Sequence, residues 1–312
     1  MNSFVERTIR PMLIGETAEP FDSDDYLFEL KLDGLRCLMY LENDRTEIYN
    51  KRNVNITEVF PEFHDLYKYV KTPCLLDGEL IVYEQGAIDF FALQQRAHQK
   101  NPFRAKLASN SHPAHFTAFD ILYAKDNWIM DQPLTKRKKI LNQTVRSEYE
   151  RFSVSRTIER YGTALYQMTV EKNLEGIVAK QKSSTYIPDS RTKKWIKVKN
   201  LMDDDYVICG YIHKHDSIIS LVLSQYEQGE LQYCGHVTMG VRNLHILEDQ
   251  QISILKECPL AKLPPHHENA VWLEPKAVAV VKFMMKTESG SLRQPIFKGF
   301  RTDKNPRDCI RR

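Results

Sequence analysis

The 312-residue sequence predicts an α+β protein of two domains, a mixed sheet-and-helix domain followed by a small β-barrel. Three observations support this prediction. A typical domain has about 150 residues, so the chain has room for two hydrophobic cores. Up to about residue 200, segments rich in branched and aromatic residues alternate with segments of helical periodicity, and strand-like segments dominate afterwards. No stretch approaches the roughly 18 apolar residues that a membrane-spanning helix needs.

The elements of the first domain follow from these patterns. In the helical segment at 57–68, Val59, Phe63, Leu66 and Tyr67 repeat at helical spacing. The predicted helices are 57–68, 90–99, 134–145 and 162–172. The predicted strands are 26–41, 46–50, 74–83, 115–123, 176–180 and 194–198.

The second domain begins where the sequence pattern changes, after residue 200, at Asp203-Asp204-Asp205. One helical segment at 244–256 interrupts a series of strand-like segments. About five strands with one inserted helix are typical of a small closed barrel of the oligonucleotide-binding kind, and a small β-sandwich is the alternative. The predicted strands are 206–211, 218–226, 231–237, 270–273 and 277–286.

Composition excludes several classes of protein. The net charge of +3 is too small for a generally basic nucleic-acid binder, so such binding would need local patches at 136–139, 191–199 or 301–312. The first patch is equally typical of a solvated helix start. Six cysteines without a Cys-x-x-Cys pair indicate neither a zinc finger nor a disulfide scaffold. The N-terminus lacks an apolar leader, so we expect a cytoplasmic protein, associated with the nucleoid if the source is bacterial.

A polar strand face near residue 30 is the first candidate for chemistry. In the strand pattern, Glu29, Lys31 and Asp33 share one face, opposite Phe28, Leu30 and Leu32, and Gly34 allows the chain to turn. A lysine between two carboxylates is either a covalent nucleophile or part of a solvated face. Neighbouring carboxylates favour the charged ammonium, whereas attack needs the neutral amine, so a nucleophile here requires additional positive charge.

Other segments could supply that charge. Asp77 and Glu79 share a strand face with Gly78 between them, and Glu175 precedes an apolar strand. Acid pairs of this kind suit a divalent cation. Lys197 and Lys199 lie on one face of another strand. Two acids and two lysines could surround a metal-bound triphosphate.

Taken together, these segments resemble the covalent nucleotidyltransferases, and specifically the ATP-dependent DNA ligases. The one departure is minor: Lys51-Arg52-Asn53 replaces the family's Ser/Thr-Arg-Asn. The tail at 287–301 is most similar to the ligase domains of bacterial end-joining enzymes. The similar segments, in the family's order, are Lys31-Leu32-Asp33-Gly34-Leu35-Arg36, Asn50-Lys51-Arg52-Asn53, Leu76-Asp77-Gly78-Glu79, Phe119-Asp120-Ile121-Leu122, Glu175-Gly176-Ile177-Val178, Trp195-Ile196-Lys197-Val198-Lys199 and Arg301-Thr302-Asp303-Lys304.

The resemblance implies a fold for each domain. Residues 1–200 would form a nucleotidyltransferase domain, an ATP-grasp-like adenylation domain, and residues 201–312 an OB-fold domain. Because no helical DNA-encircling domain precedes Lys31 and no cysteine tetrad is present, we expect a minimal two-domain ligase.

The resemblance also implies roles for individual residues. Lys31 is the catalytic residue, which would form a phosphoramide bond to AMP. Glu79 and Glu175 would hold the metal or the ribose. The ATP- or AMP-binding residues would be Glu29 beside the adenine, Phe119 stacked on it, Arg36 and Arg52 on the nucleotide, Lys197 and Lys199 at the α-phosphate, and Arg191 as a helper. Arg301, Asp303 and Lys304 would arrive with the barrel domain to orient the pyrophosphate.

The implied function is sealing of nicks in duplex DNA, for repair or end joining, with ATP and Mg²⁺ or Mn²⁺ as cofactors. We expect a monomer whose partner is nicked double-stranded DNA, and a DNA-end-binding protein is a further candidate partner. The alternatives are an RNA ligase or an mRNA-capping guanylyltransferase, which share Lys-x-Asp-Gly, and an inactive nucleic-acid-binding module.

Overall fold

The computed structural model describes residues 3–84, 86–99, 101–215, 218–240, 252–287 and 290–311. The chain divides into two compact units, Met1–Asn200 and Leu201–Arg312. Within the described ranges, no helix has the length and apolar character needed to span a membrane.

The first unit contains five helices and twelve strands among its described residues. In chain order they are α1 (Ser3–Glu6), β1 (Leu13–Thr17), β2 (Ser23–Leu30), β3 (Leu35–Leu41), β4 (Thr46–Asn50), β5 (Cys74–Glu84), β6 (Ala87–Ile88), α2 (Phe90–Ala97), α3 (Pro102–Ser111), β7 (Ala114–Ala124), β8 (Asn127–Trp128), α4 (Leu134–Thr144), β9 (Phe152–Val154), β10 (Ile158–Arg160), α5 (Gly162–Glu171), β11 (Gly176–Gln181) and β12 (Arg191–Lys199).

These strands form two sheets joined by an apolar layer. The first sheet has the order β1-β12-β11-β2-β10, and the second has the order β4-β3-β5-β7-β8, with β6 and β9 at its sides. Side chains from both sheets, including Leu27, Tyr40, Phe119 and Trp195, share one buried cluster. Alternate residues point the other way, so each sheet packs a second apolar cluster on its opposite face.

The chain crosses from one sheet to the other at residues 31–34. The sequence predicts one strand over 26–41, and this prediction is wrong: β2 ends at Leu30 in the first sheet, and β3 begins at Leu35 in the second. Gly34 permits the crossing because a Cβ there would lie 2.1 Å from the carbonyl oxygen of Leu80. The lysine-containing segment is therefore a linker between sheets.

Among the helices, the prediction at 57–68 is wrong. This segment forms three short 3₁₀ turns, Thr57–Val59, Pro61–Phe63 and Leu66–Tyr69. Pro61 lacks an N–H group and disfavours helical backbone in the preceding residue, so a continuous α-helix cannot form. Conversely, α3 was not predicted, although Asn101 caps it by accepting hydrogen bonds from the N–H groups of Phe103 and Arg104, with Pro102 in the first turn.

The basic run at 136–139 is not wholly solvated. Arg137 is fully buried on α4, where its Nε and Nη2 donate to both carboxylate oxygens of Asp120 at 2.9 and 2.8 Å. Lys138 is also buried, and its Nζ lies 2.6 Å from Glu29 Oε1. Two of the four charges therefore serve the interior of the unit and are unavailable to a nucleic-acid surface.

The second unit is a curled, mainly antiparallel sheet. The strand β13 is long enough to pair with β14 and β17 over one part and with β18 over another, which bends the sheet around the apolar side chains. Its strands are β13 (Met202–His215), β14 (Ile218–Glu227), β15 (Glu230–Gly240), β16 (Ile254–Leu255), β17 (Val271–Leu273), β18 (Val278–Phe283), β19 (Met285–Lys286), β20 (Leu292–Arg293) and β21 (Ile296–Arg301).

Two predictions for this unit need comment. Most of the helix predicted at 244–256 lies outside the described residues, and its described end contains the short strand β16 instead. The strand predicted at 277–286 is divided into β18 and β19.

The buried pair between Arg137 and Asp120 provides a test of the packing of α4. In Arg137→Met, Asp120 would remain as an uncompensated buried charge, so we expect the free energy of unfolding in urea to fall by about 3–5 kcal/mol. Lys136→Met is the matched control, because Lys136 is exposed on the same helix and should change stability by less than about 0.5 kcal/mol. Equal effects of the two substitutions would contradict this interpretation.

Candidate active site

A cavity of about 100 Å³ opens where the chain crosses between the two sheets of the first unit. Its wall includes five residues that the sequence singles out: Glu29, Lys31, Arg36, Glu79 and Phe119. Strand alternation places Glu29, Arg36 and Phe119 on the face that the two sheets share, beside the buried cluster between the sheets.

Lys31 is the first residue of the linker after β2, and it forms an ion pair with Glu175. Lys31 Nζ donates to Glu175 Oε2 at 2.7 Å, and the Lys31 N–H donates to the Gly176 carbonyl at 2.9 Å. Burial raises the pKa of the Glu175 carboxyl, although the charge of Lys31 opposes this effect. Glu175 is therefore a better proton acceptor than an exposed glutamate would be.

An aromatic wall lies further inside the cavity. Phe119 and Trp195 meet edge to face, with ring centroids 6.4 Å apart. Lys180 Nζ lies 4.1 Å from the Phe119 centroid and 4.4 Å from the Trp195 centroid, and the Arg36 guanidinium lies 4.4 Å from Phe119. This end of the cavity is consequently both aromatic and cationic, which suits a flat, electron-rich base.

Glu29 joins the cations of this aromatic end. Its Oε2 accepts hydrogen bonds from Ser155 Oγ at 2.8 Å and from Lys180 Nζ at 3.1 Å, and its Oε1 faces Lys138. Burial opposes ionisation of Glu29, but the charges of Lys138 and Lys180 outweigh it and lower the pKa of the carboxyl. Burial also lowers the pKa of Lys180 to about 8.

Arg36 is held by a carboxylate rather than left free for a ligand. Its Nε and Nη2 donate to Asp77 at 2.6 and 2.7 Å, and Tyr186 Oη donates to the same carboxylate at 2.7 Å. Asp77 thus fixes Arg36 against the Phe119 ring. Among the described residues, Glu79 forms no comparable ion pair, and burial raises its pKa to about 8 despite the nearby charges of Arg36 and Lys31.

The two lysines of β12 extend the same cationic face. Trp195, Lys197 and Lys199 alternate along this strand, so both lysines lie on the face that carries the cavity tryptophan. Burial lowers the pKa of Lys199, and Glu175 partly opposes this shift. The two ammonium groups are therefore placed on the side of the sheet where an anionic ligand could meet them.

Two predicted ligand residues lie apart from the cavity wall. Arg52 is exposed in the turn that follows β4, and Arg191 is exposed at the start of β12, where its Nη1 donates to the Ile14 carbonyl at 3.4 Å. The described structure does not place either residue in the cavity lining.

Arg301, Asp303 and Lys304 form a charged cluster in the second unit. Arg301 donates two hydrogen bonds to Asp303, at 3.0 and 2.6 Å, and lowers the pKa of that carboxyl to about 2. Asp205 Oδ2 accepts from Arg301 Nη1 at 3.0 Å and lies 3.6 Å from Lys304 Nζ. The two cations are therefore gathered around one carboxylate oxygen.

Within the described residues, no group of three or more histidine, cysteine, aspartate or glutamate side chains is arranged to hold a metal ion. Glu79 and Glu175 are nevertheless close enough for the charge of Glu175 to raise the pKa of Glu79. This donor set fits Mg²⁺, which is commonly held by one or two carboxylates together with substrate phosphates.

Sequence reasoning missed three polar or aromatic residues of the cavity, namely Ser155, Lys180 and Trp195. A signal for two of them was present. Lys180 is a lysine within an apolar strand, two residues from the cavity-lining Val178, and Trp195 shares the strand face of Lys197 and Lys199. Ser155 carries no comparable signal, because it follows a short strand whose partner is distant in sequence.

Comparison with known families identifies the class of protein that this fold and site define. The model of the ATP dependent DNA ligase domain matches residues 11–199, and that of the ATP dependent DNA ligase C terminal region matches residues 214–304. The chain belongs to the ATP-dependent DNA ligase family. The expected enzyme class, an ATP-dependent DNA ligase, is thereby confirmed.

Several curated relatives of the chain are bacterial ligases. It is 30% identical over 294 residues to the SPbeta prophage-derived DNA ligase-like protein LigB of Bacillus subtilis, covering 94% of this chain and 99% of that protein. It is 28% identical over 336 residues to DNA ligase C of Mycobacterium tuberculosis, covering 96% and 92%. It is 29% identical over 316 residues to the multifunctional non-homologous end joining protein LigD of Pseudomonas aeruginosa, but spans 36% of that longer protein.

Solved structures support the same fold. A mycobacterial DNA ligase D complexed with ATP and MES superposes with a TM-score of 0.57 at 23% identity, covering 98% of this chain and 99% of the other. A Lig E DNA ligase superposes with a TM-score of 0.60 at 18% identity, covering 94% and 100%. The expected α+β class, a nucleotidyltransferase domain followed by an OB-fold domain, is confirmed.

The raised pKa of Glu79 predicts a pH-dependent stability. In the metal-free protein, folded Glu79 would keep its proton up to about pH 8, whereas the unfolded residue would lose it near pH 4.5. The folded state therefore binds more protons in that window, and stability falls as pH rises through it. In the parent, the free energy of unfolding should fall by at most about 1.4 kcal/mol for each pH unit. Glu79→Gln should not show this loss.

The measurement is urea unfolding in EDTA between pH 5 and pH 9. Glu171→Gln is the control, since Glu171 is exposed and should follow the parental pH profile. A Glu79→Gln profile parallel to the parental one would rule out a raised Glu79 pKa.

Proposed function

We propose that this protein seals nicks in duplex DNA with ATP, through AMP carried on Lys31, and that it acts in DNA repair or end joining. The observation that carries the proposal is the position of Lys31, between the Glu175 carboxylate and the aromatic, cationic cavity of Phe119 and Trp195. Likeness to LigD and DNA ligase C supports the biological setting.

The proposed reaction has three phosphoryl-transfer steps. Neutral Lys31 Nζ attacks the α-phosphorus of ATP, so an N–P bond forms and pyrophosphate leaves. An oxygen of the DNA 5′-phosphate then displaces Lys31, and AMP passes to the DNA end. Finally, the adjacent 3′-hydroxyl attacks that 5′-phosphate, forming the phosphodiester bond and releasing AMP.

The residues of the cavity have distinct proposed roles in the first step. Glu175 Oε2, 2.7 Å from Lys31 Nζ, is in position to accept the proton that the ammonium must lose. Phe119 would stack on the base, with Arg36 held beneath it by Asp77. Lys197 and Lys199 would face the α-phosphate, with Arg52 and Arg191 as outer contacts to the nucleotide.

Glu79 and Glu175 would hold a divalent cation, Mg²⁺ or Mn²⁺, together with the phosphates. Such a cation would offset the negative charge of the triphosphate and of the two carboxylates. The raised pKa of Glu79 supports this role, because a half-buried carboxylate without an ion-pair partner favours either a proton or a cation. Outside the cavity, contacts to DNA would be mainly to phosphates, so binding should weaken steeply with salt.

The covalent role of Lys31 can be tested directly. With α-labelled ATP, the parental protein should acquire an acid-labile label that nicked duplex DNA removes as the nick is sealed. Lys31→Ala should show neither the label nor sealing, because no other group would carry AMP. Lys172→Ala, which changes an exposed lysine, should behave as the parent. Nick sealing by Lys31→Ala at the parental rate would exclude the covalent mechanism.

A second test concerns Arg301, Asp303 and Lys304, which we propose orient the pyrophosphate leaving group. Arg301→Ala should slow labelling from ATP by at least about tenfold, because a charge-assisted contact made during transfer is lost. It should seal a nick that already carries AMP at a near-parental rate, since no pyrophosphate leaves in that step. Lys298→Ala, exposed on the same strand, is the control. Equal slowing of both reactions by Arg301→Ala would refute this role.

A further inference from the structure

At the aromatic end of the cavity, formed by Phe119 and Trp195, three charged side chains are almost entirely buried. Glu29, Lys138 and Lys180 are 2%, 7% and 3% exposed. They come from three different elements, β2, α4 and β11. Glu29 and Lys180 line the cavity, and Lys138 reaches Glu29 from the helix behind it.

The two oxygens of Glu29 are not equivalent. Oε2 accepts hydrogen bonds from Ser155 Oγ and Lys180 Nζ. Oε1 is buried and forms an ion pair with Lys138, whose Nζ lies 2.6 Å away. Ser155 and Lys180 line the cavity and Lys138 does not, so Oε2 is the oxygen on the cavity side, and Lys138 holds Oε1 from behind.

An ionised carboxylate can accept hydrogen bonds but cannot donate them. The exocyclic amine at position 6 of adenine is a donor and would complement the cavity-side oxygen of Glu29, Oε2. A 6-oxo purine would instead present an oxygen to the carboxylate, and the two would repel each other. Selection of the base therefore requires Glu29 to stay ionised and oriented, which the adjacent ammonium of Lys138 supports.

We propose that Lys138 is a positioning residue for base selection: it holds Glu29 as an ionised acceptor for the 6-amino group of the ATP adenine. The inference rests on the proposed function, since it assumes that the adenine enters this cavity. Lys138 does not line the cavity itself, so its effect on the nucleotide passes through Glu29.

The test compares two nucleotides on the same protein. The parent should label Lys31 more efficiently from ATP than from purine riboside triphosphate, which lacks the 6-amino group. Lys138→Met should reduce this preference by about tenfold, the loss expected when one charge-assisted hydrogen bond is misplaced. A purely structural defect would slow both reactions equally, so the ratio separates positioning from folding.

Two further variants complete the design. Lys138→Arg keeps a cation beside Glu29 and should retain most of the preference, and it also serves if Lys138→Met folds poorly. Lys139→Met, exposed on the same helix, should retain all of it. An unchanged preference in Lys138→Met would overturn the proposal, and so would a parent that does not distinguish the two nucleotides. In either case, covalent labelling of Lys31 would still support the proposed ligase function. Absence of label from either nucleotide would overturn both.

Discussion

The structure of the first unit depends on a covalent constraint, the short linker that carries the chain from one sheet to the other. Residues 31–34 join the end of β2 to the start of β3, and the close approach of Gly34 to Leu80 leaves no room for a longer side chain. Because the linker joins an interior strand of one sheet to an interior strand of the other, Lys31 can meet Glu175 from the first sheet while Arg36 and Glu79 approach from the second. The site is thus a consequence of how the sheets are joined.

Electrostatic balance is the second organising feature. Three charged residues of the cavity each form an ion pair: Lys31 with Glu175, Arg36 with Asp77, and Glu29 with two lysines. Such pairs do not add much net stability, but each member is costly to leave alone. Glu79 is the cavity residue whose charge is least compensated. Its raised pKa marks the position where a bound cation would give the largest electrostatic stabilisation.

Sequence patterns predicted the parts of this arrangement that depend on local periodicity. Alternation along β2, β5 and β12 placed Glu29, Glu79 and Lys197 on the correct faces, because a strand has a period of two wherever it pairs. Contacts between elements distant in sequence are beyond such patterns, so the cavity position of Ser155 and the inward direction of Lys138 were missed. Pro61 indicates a break in the predicted helix, but the apolar periodicity on both sides of it favours a continuous helix. The roles of individual site residues rest on resemblance and geometry and await the experiments above.

The ion pair between Lys31 and Glu175 joins residues that are 144 positions apart. During synthesis, β2 leaves the ribosome long before β11 and β12, and at 5–20 residues per second the delay is roughly 7 to 30 s. Throughout that interval, the emerging chain exposes the lysine without the strands that complete its surroundings. The reactive centre is therefore assembled late, so a nascent or truncated chain that ends before β11 would contain Lys31 but not its site.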